Sequence, residues 1–443
     1  MTASYFDTLL TALHNRSACV GIIGLGYVGV PLATLAARRG FAVLGFDRDA
    51  ERVASLNAGQ SYIVDVSSAA LQAAQAIGQF TATTDAGRLG ECDVVIICVP
   101  TPLNDHREPD MTFIEAATAM VAATLRPGQL IVLESTTWPG TTEELILPRL
   151  VAQGGNLGED FFLAFSPERV DPGQTGSAGY TVENTPKVVG GVTERCGVVA
   201  TTLYGALVAQ VVPVSAPKVA ELTKLFENIF RNVNIALVNE LAMLCDRMQI
   251  NVWEVIDAAA TKPFAFMKHT PGPGLGGHCI PLDPFYLAWK AREYGFATRF
   301  VELAGEINME MPRYVLQLVT RALNKHRKSL NGSRVVLLGV AYKKDVDDYR
   351  ESPVFKLIEL LEAEGAEVVT VDPLIETFYS HHGRTFHTTP LSPALLAGAD
   401  CAVIVTNHSA FSYDLIVQHA PIVVDTRNAT KDVVGSRDKI VLL

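Results

Sequence analysis

Apolar positions along this chain come in short unbroken runs. Cys19–Ile23, 41–46, 94–99, Leu130–Leu133 and Phe162–Phe165 are hydrophobic at nearly every consecutive position. A strand covered on both faces shows this pattern, whereas a strand with one wet face alternates. Helix-like segments lie between the runs, the first over 30–39 with Gly40 as its stop. The pattern therefore predicts a parallel sheet clad in helices. From Ser215 to about Arg247 the period is helical throughout, with Ser215 and Pro217 supplying a start signal. More helix is predicted over 285–294 and on to about His326. After Asn331-Gly332-Ser333, strand Arg334–Leu338, helix 353–364 and strand Glu367–Val371 repeat the opening rhythm. Strands at 402–405 and 422–424 complete this smaller domain. At 443 residues the chain exceeds one ordinary core, and boundaries are expected at 1–212, 213–328 and 329–443.

The first strand runs directly into Gly24-Leu25-Gly26-Tyr27-Val28-Gly29, which opens the first helix. Within a strand–helix–strand unit this GxGxxG turn is the fingerprint of dinucleotide binding. Its first two glycines let the backbone turn and approach a pyrophosphate, and its third lets helix and strand pack closely. The helix N-terminus then offers amide N–H groups to the phosphates. Asp47 ends the second strand, where a carboxylate accepts bonds from the ribose hydroxyls and repels a 2′-phosphate. NAD is expected over NADP, with Arg48 and Arg52 nearby weakening that preference. Polar residues close the later strands: Pro100-Thr101-Pro102, Glu134 to Thr137, and Ser166 to Arg169. Ligands bind at such carboxyl ends, so Thr101, Thr136 and Glu168 are candidates to face cofactor and substrate.

Composition narrows the reading. Hydrophobic residues are 49% and charged ones 19%, as in a globular protein with a large interior. The 36 Lys+Arg against 47 Asp+Glu give a net charge of −11, which argues against bulk nucleic-acid or anionic-membrane binding. No apolar run approaches the ~20 residues of a membrane span. Residues 1–18 have no signal-peptide core. Seven scattered cysteines without a CxxC pair suit a reducing cytoplasm. No metal site is expected, since His278-Cys279 is not at ligand spacing, and no GxSxG elbow occurs.

The run from Pro271 to Asp283 surrounds one thiol, Cys279, with glycines and prolines and places a carboxylate four residues later. Such a loop presents its sulfur. In the long helix, Glu221, Lys224, Asn228 and Arg231 recur at spacings of three and four and share a face; Asn234, Asn239 and Glu240 extend it. Lys343, Lys344 and Arg350 put positive charge after the strand Arg334–Leu338, in a turn lacking GxGxxG, which suits substrate phosphates. A thiol beside a dinucleotide domain is useful when an aldehyde must be oxidised further, because its thiohemiacetal can lose a second hydride.

On these motifs the sequence resembles the UDP-glucose/UDP-mannose-type nucleotide-sugar 6-dehydrogenases from about Cys19 onward. The motifs are Gly24-x-Gly26-x-x-Gly29, the helix with Lys224 and Asn228, Gly276-Gly277-His278-Cys279-x-x-x-Asp283, and Ala341-Tyr342-Lys343-Lys344-Asp345 running to Arg350-Glu351-Ser352-Pro353. The form of the cysteine loop, with His278 where glucose-specific enzymes usually have Ser, is most similar to the UDP-N-acetylglucosamine branch. The segment Phe266 to His269 does not match the basic sugar-contacting segment of the glucose branch.

The resemblance implies an N-terminal Rossmann NAD domain, a central helical linker and dimerisation domain, and a C-terminal Rossmann-like UDP-sugar domain. It implies NAD as cofactor, a UDP-sugar as substrate and a homodimer. Cys279 becomes the nucleophile, Lys224 and Asn228 oxyanion donors, Asp283 and Thr136 holders of a water, and Glu168 a general base. Gly24, Gly26, Tyr27, Val28, Gly29, Asp47, Arg52, Thr101, Thr136 and Arg350 contact NAD. Glu168, Arg169, Lys224, Asn228, Arg231, Gly276 and Lys343 contact the UDP-sugar. The rivals are a single-step dehydrogenase of the β-hydroxyacid type, which needs no Cys279, and a nucleotide-sensing binding protein.

Overall fold

The computed structural model describes residues 4–63, 65–77, 79–104, 108–170, 179–277, 280–380 and 383–443. The chain divides into two compact units. The first holds residues 1–227 and 285–296, the second 228–284 and 297–443.

The first unit is built on an eight-stranded sheet. Its strands are β1 (Cys19–Ile23), β2 (Ala42–Phe46), β3 (Phe80–Thr83), β4 (Val94–Ile97), β5 (Leu130–Leu133), β6 (Phe162–Phe165), β7 (Lys187–Gly191) and β8 (Val211–Val214). Their order is β3-β2-β1-β4-β5-β6-β7-β8. Central strands β4, β5 and β6 are buried at every position, the outcome expected of continuous apolar runs covered on both faces. The order reverses between β1 and β4, and this switch point opens at the glycine turn. Helix Gly29–Arg38 follows β1 and buries eight of its ten residues.

The sheet is not wholly parallel, as the pattern had suggested: β7 runs antiparallel to β6. Strands β3, β7 and β8 were not legible either. β7 begins with a lysine and ends in two glycines, and β8 carries Pro213, which confines it to an edge.

The second unit carries a parallel five-stranded sheet. Its strands are β9 (Arg334–Leu338), β10 (Glu367–Val371), β13 (Cys401–Ile404), β14 (Val423–Asp425) and β15 (Ile440–Leu442), ordered β10-β9-β13-β14-β15. A small hairpin, β11 (Thr377–Tyr379) and β12 (Thr385–His387), lies outside that sheet. Helices Val252–Ala259, Arg299–Lys325, Pro353–Ala363, Pro393–Ala397 and Tyr413–His419 also belong to this unit. Helix Pro217–Met248 begins at Pro217 itself and supplies residues to both units.

Candidate functional site

The glycine turn fits a dinucleotide by three separate tests. A Cβ at Gly24 would overlap the Cys98 carbonyl, and one at Gly29 would overlap the Gly24 carbonyl. Above Gly26 a Cβ would meet nothing within 4 Å. The first and third glycines thus serve packing, and the second leaves room for a ligand. No side chain caps the helix that begins at Gly29, so its N-terminus is available to phosphate. Asp47 stands half-buried at the end of β2; its Oδ2 accepts the Leu25 N–H at 2.9 Å and its Oδ1 the Asp49 N–H at 3.0 Å. Arg52 is more exposed, 3.5 Å from Asp49 and over the Tyr62 ring.

At the carboxyl ends of β4, β5 and β6 the same unit gathers the expected polar residues. Thr101 is buried, its carbonyl accepting the Tyr286 hydroxyl at 3.0 Å. Thr136 is half-buried in the turn after β5, and Trp138 of that turn packs against Trp289 at 4.7 Å. Glu168 accepts the N–H groups of Arg169 and Val170, both at 2.7 Å. It lines a cleft of about 410 Å³ that Tyr27 and Val28 of the glycine turn also line. Arg169 is committed to Glu227, 2.6 Å away, and to the Pro186 carbonyl.

Sequence reasoning left Lys187, Tyr204 and a function for Glu134 unassigned. Lys187 lies 2.9 Å from Glu134 and 3.2 Å from Glu168. The Tyr204 hydroxyl donates to Glu134. Burial raises Glu134, only partly offset by Lys187. No sequence signal marked Lys187, because a lone lysine after a turn reads as surface.

The helical stripe is buried at Glu221, Lys224 and Asn228, but Arg231 is exposed. The buried face continues through Asn232 and Asn239 instead, since 3.6 residues per turn carries a 3–4–3 spacing off the stripe. Asn234 bonds its own helix at the Phe230 carbonyl, and Glu240 is exposed. Glu221 accepts the N–H groups of Gly140 at 2.5 Å and Thr142 at 3.0 Å.

In the second unit Asn228 Nδ2 donates to Asp283 Oδ2 at 2.5 Å, with both side chains buried. Cys279 and His278 lie outside the described residues, but the loop on either side of them is anchored. Asn239 Nδ2 donates to Asn308 Oδ1, Asn239 Oδ1 accepts the Gly272 N–H at 3.0 Å, and Asn232 Nδ2 donates to the Ile280 carbonyl at 3.2 Å. The amide-rich character of the helix therefore has a local cause: it ties down both ends of the cysteine loop. Gly277 has φ +83° and donates its N–H to the Arg350 carbonyl, while a Cβ at Gly276 would lie 2.5 Å from Tyr342 Cβ. The loop thus lies against the segment that carries Lys343 and Arg350. The Arg350 guanidinium forks onto Asp348, with Nη2 at 2.6 Å. Lys343 is half-buried and Lys344 exposed.

Asp372, at the end of β10, accepts the Val340 and Ala341 N–H groups and the His408 Nε2–H at 3.2 Å. His408 Nδ1 accepts the Asp345 N–H. Arg427, beyond β14, packs against Gly272; it went unremarked in the sequence because it follows an apolar strand with no motif of its own.

A dinucleotide turn, a second α/β unit and a glycine-framed cysteine loop define a nucleotide-dependent oxidoreductase. The chain belongs to the UDP-glucose/GDP-mannose dehydrogenase family: its NAD binding domain matches residues 18–208, its central domain 218–310 and its UDP binding domain 336–432. It is an NAD-dependent UDP-sugar dehydrogenase, as the resemblance implied.

A UDP-N-acetyl-D-mannosamine dehydrogenase of Pyrococcus horikoshii is 35% identical over 421 residues, covering 93% of this chain and 96% of the relative. The solved structure of the UDP-D-ManNAc dehydrogenase from that organism superposes with a TM-score of 0.86 at 34% identity, over 96% of this chain and 98% of the other. A UDP-N-acetyl-D-glucosamine 6-dehydrogenase of Pseudomonas aeruginosa is 34% identical, covering 88% and 91%. An NDP-N-acetyl-D-galactosaminuronic acid dehydrogenase of Ralstonia nicotianae is 36% identical, covering 92% and 95%. Among the described residues no helix is long and apolar enough to cross a membrane.

Proposed function

We propose that this enzyme oxidises the C6 hydroxyl of a UDP-N-acetylhexosamine to the carboxylate, with UDP-N-acetylglucosamine as its first substrate. The observation that carries the four-electron reading is the cysteine loop, clamped at Gly272 and Ile280 by buried asparagines. A dehydrogenase that stopped at the aldehyde would have no use for a cysteine in so firmly anchored a segment. When bound, NAD⁺ supplies the hydride acceptor for both oxidations, one equivalent for each.

Residues 24–29, Asp47 and Thr101 hold that cofactor, with Arg350 as a further contact. Lys343 binds the UDP-sugar phosphates. Asp283 and Thr136 hold the water that takes the hydroxyl proton. Cys279 adds to the C6 aldehyde and carries it as a thiohemiacetal, then as a thioester. Lys224 and Asn228 stabilise the negative oxygen of each adduct, the type of interaction that contributes most to acyl chemistry. Glu168 accepts a proton from the water that cleaves the thioester. Arg169, next to Glu168 and paired with Glu227 and the Pro186 carbonyl, is a further contact to the UDP-sugar.

The hexosamine assignment is supported by the relatives, which act on N-acetylated sugars by their names. UDP-N-acetylmannosamine is the second reading, favoured by the Pyrococcus enzyme and its fold match. Rates of NADH formation with UDP-GlcNAc, UDP-ManNAc, UDP-GalNAc and UDP-glucose test the assignment. The highest kcat/KM is expected for UDP-GlcNAc; a preference for UDP-glucose would overturn the hexosamine reading and leave the chemistry standing.

A further inference from the structure

Lys187 opens β7 with its side chain 3% exposed, between Glu134 on one side and Glu168 on the other. A buried ammonium is retained only where it is paired and hydrogen-bonded. Here Glu134 Oε2 lies at 2.9 Å and Glu168 Oε2 at 3.2 Å. Glu168 Oε1 is fixed separately by two backbone N–H groups, so both oxygens of this carboxylate are held and it cannot rotate. The charged and titratable groups around it are Lys187 from β7, Glu134 after β5, Lys224 from the long helix and Cys98 after β4, with Tyr204 of helix Glu194–Leu207 bonded to Glu134.

We propose that Lys187 is a positioning residue that keeps Glu168 anionic and aimed, so that it can take the proton from the water that hydrolyses the thioester. The proposal rests on Glu168 being the hydrolytic base. In that step the water oxygen bonds to the thioester carbon, its proton passes to Glu168, and the C–S bond breaks to return the Cys279 thiolate; the acid formed ionises to solvent. Burial opposes charge on Glu168, yet Lys187, the Val170 amide and Lys224 hold its carboxyl below the ordinary carboxylate range. Without the ammonium, Glu168 would bind its proton at higher pH and be lost as a base on the acid side. Glu134 is the structural partner: bonded to Tyr204 and buried, it balances the second half of the Lys187 charge.

The test is the pH dependence of sugar-acid release in a single turnover, for wild type, Glu168→Gln, Lys187→Arg and Lys187→Met/Glu134→Gln. The double variant removes one charge of each sign and keeps an acceptor for Tyr204, so it remains measurable where Lys187→Met alone fails to fold. Wild type is expected to lose activity on an acid limb that Glu168→Gln lacks. That limb should move up by roughly 1 pH unit or more in the double variant, the size of an opposite-charge effect at this distance, and return in Lys187→Arg. A folded double variant whose rate falls while its acid limb stays in place would overturn the role of Lys187. An acid limb that persists in Glu168→Gln would instead overturn the assignment of Glu168 as the base, and with it this proposal.

Discussion

Lys224 retains 8% of its surface exposed within a buried helix face that also carries Glu221, Asn228 and apolar residues. A lysine this buried has given up most of its hydration, and its placement one helical turn before Asn228 suits an oxyanion rather than solvent. Lys224→Met is expected to lower kcat by about 10²–10³, the cost of removing one preorganised donor, with a smaller change in KM. Steady-state kinetics check this; a loss below threefold would remove Lys224 from the chemistry. At this scale the sequence singled out residues that sit in a motif. It was silent on Lys187, Tyr204, Asn232 and His408, whose roles depend on partners 19 to 70 positions away. A single charged or amide side chain carries no mark of such a partner.

At the scale of elements, the turn after β9 shows how one loop is fixed by its neighbours. Asp372 takes two of its amides, and His408 takes the Asp345 N–H on Nδ1 while donating from Nε2 to Asp372. This pattern requires the neutral Nε2–H tautomer. Because the same loop carries Lys343, His408→Ala is expected to raise KM for the UDP-sugar about tenfold, as expected for loss of a buried bond to a charged group, with kcat and KM for NAD⁺ little changed. An unaltered sugar KM would contradict the assignment.

Glu221 offers a second test, of stability. Burial outweighs its three donors and pushes its carboxyl up to about 7. Between the ordinary value of 4.5 and about 7, the folded chain therefore holds a proton that the unfolded chain has released. Stability from this group falls as pH rises through that window. Glu221→Gln should abolish this slope, read as the thermal midpoint of wild type minus variant becoming more negative from acid to neutral pH; a constant difference would contradict it. The strands that sequence patterns revealed were dominated by apolar runs. Of those they missed, β7 carries a buried lysine, β8 a proline, β3 alternates with threonines, and β11, β12 and β15 are three residues long.

At the scale of the whole molecule, Phe226, Phe230, Leu237, Leu244 and Met248 are all exposed on the long helix, Phe226 at 65% and Leu237 at 62%. Their spacings of four and seven place them along one stripe, and a contiguous apolar stripe marks an interaction surface. We propose that it forms the homodimer contact. Sedimentation should give twice the chain mass for wild type and a monomer for Phe230→Asp/Leu237→Asp; a wild-type monomer would contradict it. The domain order was legible from strand–helix rhythm, because each α/β unit repeats the same local pattern. Residues 285–296 join the first compact unit, far from it in sequence, through packing such as Trp138 on Trp289 and Tyr286 on the Thr101 carbonyl. Long-range packing of this kind leaves no trace in local spacing.

The central claim, oxidation of an alcohol through to an acid on one thiol, is measured most directly by counting NADH formed per UDP-sugar consumed, in wild type and Cys279→Ser. Wild type should give two NADH for each sugar acid, and the serine variant should lose sustained turnover. One NADH per sugar with free aldehyde as product, or full turnover without the thiol, would contradict it.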